Sequence, residues 1–205
     1  MVDFKLSNVV ASCYVADGIN PDEIIAYWPE ASYNPMSPFR AISYTQGNPK
    51  SAQLVFEDGK VITTGARSIA SARISVQNVG VELERLGIPI YDPLFVTIEN
   101  LVGRVSLDKK LDLHHLAREL ENTEFDPAAF PGIIIKETRD EEGSPGKEAE
   151  DAEDRKYEVS TLIFSSGKIV ITGHKGAKAE EDLKESFDKI VDLVEEKMKS
   201  APEDE

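Results

Sequence analysis

An internal duplication is the feature that most constrains the fold of this chain. The stretch Leu54–Gly65 recurs as Leu162–Gly173, at a constant offset of 108 residues. In each copy two β-branched, apolar runs flank a short link that ends in Gly-Lys, a pattern typical of a β-hairpin. Because a repeat of this length indicates a repeated structural unit, the chain is predicted to hold two copies of one fold.

The rest of the chain follows the same cycle twice: strand, short helix, strand, hairpin and long helix. The first strands are predicted at 7–13 and 95–103, and the second strands at 39–45 and 130–138. Asn20-Pro21 with Glu23, and later Asp112, are helix starts with N-capping side chains. Each long helix has an apolar stripe at steps of three and four residues. The stripes are Ala72, Val76, Val79, Leu83 and Leu86, and then Leu183, Phe187, Ile190, Val194 and Met198.

These cycles predict a first repeat at 6–90, a second repeat at 94–198 and an acidic tail at 200–205. Between the second strand and the hairpin the offset rises from 91 to 108, so the second repeat carries 17 additional residues. They fall within Arg139–Glu158, which is rich in Asp, Glu, Gly and Pro. That composition predicts a solvated or disordered insertion.

Strand alternation predicts which side chains share a face of the sheet. Phe39 and Phe56 are placed opposite each other by a turn centred between residues 47 and 48, and Phe130 and Phe164 by one centred at 147. The opposite face, with Val9, Val55, Val61, Ile163, Ile169 and Ile171, would take the long helices. Since the first face is apolar too, it is either an exposed binding surface or the interior of a two-sheet sandwich. The pattern leaves both open.

Composition narrows the setting. The chain has 205 residues, 40% of them hydrophobic, a formal charge of −15 and one cysteine, Cys13. A single cysteine favours an intracellular, cytosolic protein, and no apolar run is long enough to span a membrane. The net negative charge argues against nucleic-acid binding, but much of that charge is confined to two segments. Glu137–Glu158 holds ten acidic and four basic residues, and Glu203–Glu205 adds three more acidic ones.

Several short motifs then occur at matching places in the two repeats. They are Asn-x-Val at Asn8 and Asn100, Phe-x-x-Gly-Lys at Phe56 and Phe164, and Thr-Gly followed two positions on by a basic residue. With Tyr33-Asn34-Pro35 and Phe130-Pro131-Gly132, the chain resembles the TATA-box-binding protein family over about residues 6–198. The resemblance implies an α+β fold, in which two pseudo-symmetric repeats form one curved antiparallel sheet, a saddle, with helices on the convex face.

The resemblance also implies a DNA-binding role for particular residues on the concave face. Four phenylalanines would wedge between base steps: Phe39, Phe56, Phe130 and Phe164. Two asparagines and two threonines would meet base edges: Asn8, Asn100, Thr64 and Thr172. Apolar residues would form the floor: Val10, Leu54, Ile62, Val102, Leu162 and Val170. Basic residues would contact phosphates: Lys60, Arg67, Lys136, Lys168 and Lys175.

The implied function is a general transcription initiation factor that binds and bends A·T-rich promoter DNA through the minor groove. Its partners would be double-stranded DNA, transcription factor B and the RNA polymerase machinery, in the cytoplasm of an archaeal cell and associated with the nucleoid. No cofactor, membrane or metal is expected, since His114, His115 and His174 lack partner ligands. No nucleophile with a base is evident, so the chain is not expected to be an enzyme.

Three departures from the family pattern favour an alternative. Thr45 stands where the second repeat has Lys136, Glu57-Asp58 stand where it has Ser165-Ser166, and the insertion is unusual. A divergent paralogue acting mainly as a protein-interaction or regulatory module, with weak DNA binding, would fit these changes. A small-molecule-binding helix-on-sheet domain is disfavoured by the symmetry of the four phenylalanines.

Overall fold

The computed structural model describes residues 3–140 and 156–199. Within them nine strands form an antiparallel sheet accompanied by four helices, which confirms the predicted α+β class. The elements are β1 Lys5–Tyr14, α1 Pro21–Ile25, β2 Ala41–Gly47, β3 Lys50–Phe56, β4 Lys60–Ala66, α2 Ile69–Arg85, β5 Thr97–Ser106, α3 Leu113–Glu119, β6 Thr123–Glu124, β7 Gly132–Asp140, β8 Lys156–Phe164, β9 Lys168–His174 and α4 Ala179–Lys199. The short strand β6 was not predicted.

The contacts divide the chain into two compact units. One contains residues 7–100 and has the strand order β2-β3-β4-β1. The other contains the described residues of 1–6 and 101–205 and has the order β5-β9-β8-β7-β6. The N-terminal segment that precedes the first repeat in sequence therefore belongs to the unit of the second repeat.

Capping side chains and turn glycines set the element boundaries. The Asn20 side chain accepts the backbone N–H of Asp22 at 3.2 Å and donates to Glu23 at 2.9 Å, as its position before Pro21 predicts. Asp112 likewise accepts the N–H of His115 at 3.0 Å. At the hairpin link Gly59 has φ of +78°, and a Cβ there would lie 2.1 Å from a backbone oxygen, so only glycine fits.

The core lies between each half of the sheet and its long helix. Val9, Val55 and Val61 are fully buried beneath α2, which packs on β4. Ile163, Ile169 and Ile171 are fully buried in the same way beside α4. Because all the described strands belong to one sheet, the sandwich alternative is wrong, and the other sheet face is not the interior of a second layer.

The hairpin register differs from the predicted one by two residues in both repeats. Ala41 pairs with Phe56 and Gly47 with Lys50, so the turn is formed by Asn48 and Pro49, one residue later than composition indicated. Gly132, rather than Phe130, pairs with Phe164. A shift of two preserves the alternation of side chains, so Phe56 and Phe164 keep the predicted face, whereas Phe39 and Phe130 precede β2 and β7.

The insertion is shorter than predicted. Strand β7 continues to Asp140 and β8 begins at Lys156, and Arg139 pairs with Tyr157. The residues at both ends of the acidic stretch therefore belong to paired strands. Backbone pairing tolerates charged side chains where these face the solvent. The rest of the predicted insertion, 141–155, and the predicted tail at 200–205 lie outside the described residues.

Polar groups are buried on the helix side of the sheet, where the sequence predicted an apolar face. In the first repeat Gln53 is fully buried and donates to Ser51 at 2.9 Å and to Thr63 at 2.8 Å. In the second repeat His174 is fully buried, with its Nε2 3.0 Å from the hydroxyl of Ser186. Hydrogen bonding offsets part of the cost of burying these groups.

Candidate nucleic-acid interface

An alternation of burial along the inner strands defines the candidate surface. In β4, β8 and β9 most buried residues on the helix side alternate with half-buried residues on the other side, whereas in β1 the run 11–13 is buried throughout. The half-buried apolar residues are those predicted for the floor: Val10, Leu54, Ile62, Val102, Leu162 and Val170. Such a row of partly exposed apolar side chains, with polar groups among them, marks an interaction surface rather than a second core.

The Asn8 side chain of β1 is oriented by its neighbours on β4. Its Oδ1 accepts the backbone N–H of Gly65 at 2.7 Å and the hydroxyl of Thr64 at 3.4 Å. The structure thus brings together Asn8 and Thr64, as predicted. Because the oxygen end of the amide is bound to the protein, the Nδ2 group, with two N–H donors, is the end that can serve a ligand.

The second repeat places the corresponding residues in the same strand arrangement. Val102 on β5 pairs with Thr172 on β9, and Asn100 is half-buried two residues before Val102. On the adjoining strands Leu162 pairs with Val170. The predicted base-contacting and floor residues of this repeat therefore share one face.

The phenylalanine pair of the second repeat is in ring contact. The centroids of Phe130 and Phe164 lie 5.7 Å apart with planes inclined at 58°. A Cβ on Gly132 would lie 2.9 Å from Cε1 of Phe130 and 2.9 Å from the backbone oxygen of Ile163. The absence of a side chain at Gly132 is thus what lets Phe130 rest against Phe164.

The phenylalanine pair of the first repeat is more open. Ala41 occupies the position that corresponds to Gly132, and Phe39 is 73% exposed just before β2 begins. Phe56, at the end of β3, is half-buried. The first repeat therefore differs from the second both in the residue at this position and in the exposure of its first phenylalanine.

The predicted phosphate-contacting residues are distributed around the edges of the face. Lys60 lies over the ring of Tyr14, with 5.8 Å from Nζ to the centroid, and Lys175 lies over Tyr157 at 5.4 Å. Lys136 is instead ion-paired with Glu124 at 3.5 Å, which weakens its case as a phosphate contact. The remaining two, Arg67 and Lys168, are exposed.

Comparison with known proteins decides the family. A family model described as transcription factor TFIID, or TATA-binding protein, matches residues 3–86 and 95–197. The chain belongs to this family. It is 34% identical to the TATA-box-binding protein of Methanocaldococcus jannaschii, covering 95% of this chain and 94% of that one, and 31% identical to that of Archaeoglobus fulgidus, covering 91% of each. The solved structure of Methanococcus jannaschii TBP matches with a TM-score of 0.75 and 33% identity, over 95% of this chain and 99% of that chain.

Glu57 and Asp58, the carboxylates that depart from the repeat pattern, have structural partners in this family member. Glu57 accepts the hydroxyl of Tyr33 at 2.8 Å, and this hydrogen bond raises the pKa of Tyr33 above its ordinary value. Asp58 accepts the backbone N–H of Lys60 at 3.0 Å and so closes the hairpin turn. Both residues therefore serve the fold of the first repeat, which removes part of the case for a divergent paralogue with weak DNA binding.

Sequence reasoning missed two cations at the edge of the face. Arg104 and Lys5 line an open cleft together with the predicted Lys168 and with Ser106 and Ser166. Arg104 lies one residue beyond the predicted strand 95–103, and its parity with Asn100 and Val102 could have placed it on the binding face. Lys5 could not have been found, since it precedes the first repeat in sequence.

In the described part of the chain no three His, Cys, Asp or Glu side chains are grouped so that they could hold a metal ion. No helix among the described residues has the length and apolar character needed to cross a bilayer.

Proposed function

We propose that this protein binds and bends A·T-rich promoter DNA through the minor groove, as a general transcription initiation factor. The observation that carries the proposal is the half-buried apolar sheet face, with the hydrogen-bonded Asn8 and Thr64 on it in the first repeat and the contacting Phe130 and Phe164 in the second. A face of this kind suits a ligand that is flat, apolar in part and lined with hydrogen-bond acceptors.

The minor groove of A·T base pairs meets this description. A·T and T·A pairs both present only acceptors there, the N3 of adenine and the O2 of thymine. The Nδ2 donors of Asn8, held in place by Gly65 and Thr64, match acceptors of either pair. A G·C pair would place its extra amino group against the floor formed by Val10 and Ile62, where it would be buried without a partner.

The phenylalanine pairs are proposed to wedge between base steps. Apolar side chains that enter the minor groove partly unstack a step and kink the duplex, a mechanism for which this family is itself an established example. Flexible TA steps deform at low cost, so wedging also favours TA-containing sites without direct base contacts. Phe39 and Phe56 would act in the first repeat, and Phe130 and Phe164 in the second.

Further partners follow from the same proposal. Transcription factor B and the RNA polymerase machinery would bind the protein once it has bent the promoter. The solvent-facing surfaces of α2 and α4 lie opposite the DNA-binding face and are available for such contacts. The protein would act at the nucleoid of an archaeal cell, without a catalytic role of its own.

A bending measurement tests the proposal. A duplex with an A·T-rich site, labelled at both ends for fluorescence energy transfer, should bind the protein and show increased transfer, whereas a G·C-substituted duplex should bind at least ten-fold more weakly. Replacing Phe130 and Phe164 together by alanine should reduce the bend while leaving the thermal unfolding of the protein little changed. Phe95, which is 80% exposed outside the predicted site, provides a matched Phe95→Ala control that should behave as wild type.

Three results would overturn the proposal. Equal affinity for the A·T-rich and G·C-rich duplexes would exclude minor-groove readout. A bend unchanged by the Phe130→Ala, Phe164→Ala double substitution would exclude the wedges. Binding that requires transcription factor B even at micromolar protein would favour the protein-interaction module instead.

A further inference from the structure

A basic cleft lies at the edge of the binding face in the unit of the second repeat. It is lined by Arg104, Lys5 and Lys168, with the hydroxyls of Ser106 and Ser166 and the carboxylate of Asp3. Among the described residues, no carboxylate lies within ion-pair distance of any of these three cations. The cleft therefore carries net positive charge on a protein whose overall charge is −15.

The strand register places two of the cations on the proposed DNA-binding face. Arg104 pairs with Val170, and Ser106 pairs with Lys168, while Val102 on the same face pairs with Thr172. Residues directly opposite in an antiparallel ladder point to the same side of the sheet. Arg104 and Lys168 therefore continue the row of Val102, Val170 and Thr172 toward the hairpin turn.

Lys5 is positioned by its neighbour in sequence. The ring of Phe4 stacks on that of Phe187, with centroids 5.1 Å apart and planes inclined at 21°, and Phe187 is fully buried in α4. This stacking holds the adjacent Lys5 in the unit of the second repeat, where it lines the same cleft as Arg104.

The first repeat has a different set of residues at the corresponding positions. Ser12 stands where the second repeat has Arg104, and Tyr14 where it has Ser106. Ser12 pairs with Ile62 of the floor, and its hydroxyl donates to the carboxylate of Glu99. Lys60, which corresponds to Lys168, lies over the ring of Tyr14. This edge of the first repeat thus has one cation, with the carboxylates of Glu99, Glu57 and Asp58 close by in sequence or contact.

We propose that Arg104, supported by Lys5, is an additional phosphate-binding residue that makes the second repeat the stronger electrostatic anchor for DNA. This inference rests on the proposed function, since it assumes that a duplex lies on this face. A backbone phosphate at the cleft would accept hydrogen bonds from two N–H groups of the Arg104 guanidinium, and further hydrogen bonds from Lys168 and Ser166. The extra contact supplies a cation at an edge where the first repeat has Ser12 and the turn carboxylates of Glu57 and Asp58.

The test compares Arg104→Ser with a charge-matched control. Serine is the residue that the first repeat has at this position, and Arg73→Ser removes the same charge from an exposed site on α2. Affinity for the A·T-rich duplex is measured across ionic strength. Arg104→Ser should bind about ten-fold more weakly than wild type at low salt, because it loses a charge-assisted contact. Its slope of log affinity against log salt should be shallower by about 0.9, the value for one phosphate contact.

Two further variants and the control separate the outcomes. Arg104→Lys should keep the wild-type salt slope and lose only part of the affinity, and Lys5→Ser should weaken binding less than Arg104→Ser. If wild type binds the duplex but Arg104→Ser has the affinity and slope of Arg73→Ser, the inference is wrong while the proposed function stands. If wild type fails to bind the duplex at any salt concentration, the proposed function itself fails.

Discussion

The two repeats build the same sheet-and-helix plan but fill the core between them with different side chains. On the inner strand the first repeat has Ala11 where the second has Gly103, and on the long helix it has Val76 where the second has Phe187. All four sites are buried. The second repeat thus has the smaller residue on the strand and the larger one on the helix. The comparison teaches that the same backbone plan accepts different side chains at facing positions, provided that a larger residue on the helix meets a smaller one on the strand.

The repeats also differ at the edge of the proposed DNA-binding face. The first repeat uses acidic residues to hold its loops, with Glu57 on Tyr33 and Asp58 on the backbone of Lys60. The second repeat has serines at those turn positions and adds Arg104. The two repeats therefore share a backbone plan but differ in the charged residues at this edge. They are expected to contribute unequally to DNA affinity.

Replacing Gly103 of the second repeat by alanine, the residue of the first repeat, should have the largest effect on stability. A Cβ at Gly103 would lie 2.6 Å from Cε2 of Phe187 and 3.0 Å from Cδ2 of Leu183. Gly103→Ala should therefore lower the free energy of unfolding by about 1–3 kcal/mol, the usual cost of overpacking a core. Urea denaturation followed by circular dichroism measures the loss.

A double-mutant cycle shows whether Gly103 and Phe187 act as a pair. Phe187→Val, which copies the first repeat, removes the ring that clashes but also the stacking on Phe4. The double variant Gly103→Ala, Phe187→Val should be less destabilised than the sum of the single variants, by about 0.5–3 kcal/mol. Additive effects would show that the two positions do not compensate each other.

The phenylalanine pair of the second repeat can be made to resemble that of the first. Gly132→Ala introduces the side chain of Ala41 at a place where it meets Phe130 and the backbone of β8. We expect Phe130 to leave Phe164, the DNA bend to decrease and the free energy of unfolding to fall by about 1–3 kcal/mol. Nuclear Overhauser contacts between the two rings and fluorescence transfer on the duplex report these changes. The reverse substitution, Ala41→Gly, should leave the bend intact, and persistence of the ring contact in Gly132→Ala would contradict this packing account.

Much of this fold could be predicted because its signals are local. Asn20 before Pro21, the apolar stripes of the long helices and the Gly-Lys turns each depend on a few neighbouring residues. The face assignments also followed, since alternation survives a register shift of two. The register itself did not follow, because the position of a turn within Gly47-Asn48-Pro49 depends on which backbone groups pair across the strands.

Other features depend on contacts that sequence spacing does not reveal. Gln53 and Thr63 interrupt an otherwise apolar helix-side face, and they are tolerated there because they bond to each other at 2.8 Å. Lys5 reaches the second repeat only because Phe4 stacks on Phe187 from a distant part of the chain. Strand β7 continues to Asp140 because Asp140 pairs with Lys156. The many charged residues in this stretch gave no sign of a strand.

A buried histidine gives the second repeat a response to acid that the first repeat lacks. His174 corresponds to Ala66, and burial, together with the charge of Arg139, lowers the pKa of its imidazole to about 4, against a smaller opposing effect of Glu137. Ser186 accepts a hydrogen bond from Arg139 at 3.0 Å and lies 3.0 Å from His174 Nε2. Between the ordinary value and this lowered one, the unfolded chain binds a proton that the folded protein does not.

Stability should therefore be full above pH 6.5 and decline as the pH falls toward 4. At its steepest, one proton changes the free energy of unfolding by about 1.4 kcal/mol per pH unit. His174→Ala, the residue of the first repeat, should flatten the dependence of the melting temperature between about pH 5 and 7, whatever its effect at neutral pH. The exposed His114→Ala serves as control. A parallel pH profile for wild type and His174→Ala would show that His174 does not titrate with unfolding.

The smallest expected effect concerns a single exposed charge at the turn. Asp58→Ser copies Ser166 of the second repeat, and a serine hydroxyl can accept the backbone N–H of Lys60 as the carboxylate does at 3.0 Å. Removing the carboxylate should strengthen DNA binding by roughly two- to five-fold at low salt, and the gain should vanish at high salt, because exposed charges are screened within about 10 Å at 0.1 M ionic strength. The reciprocal Ser166→Asp places a carboxylate in the cleft of Arg104 and Lys168, so it should weaken binding by more than Asp58→Ser strengthens it. If Asp58→Ser strengthens binding by as much as Ser166→Asp weakens it, a carboxylate has the same effect at both edges. The proposed electrostatic difference between the repeats would then be wrong.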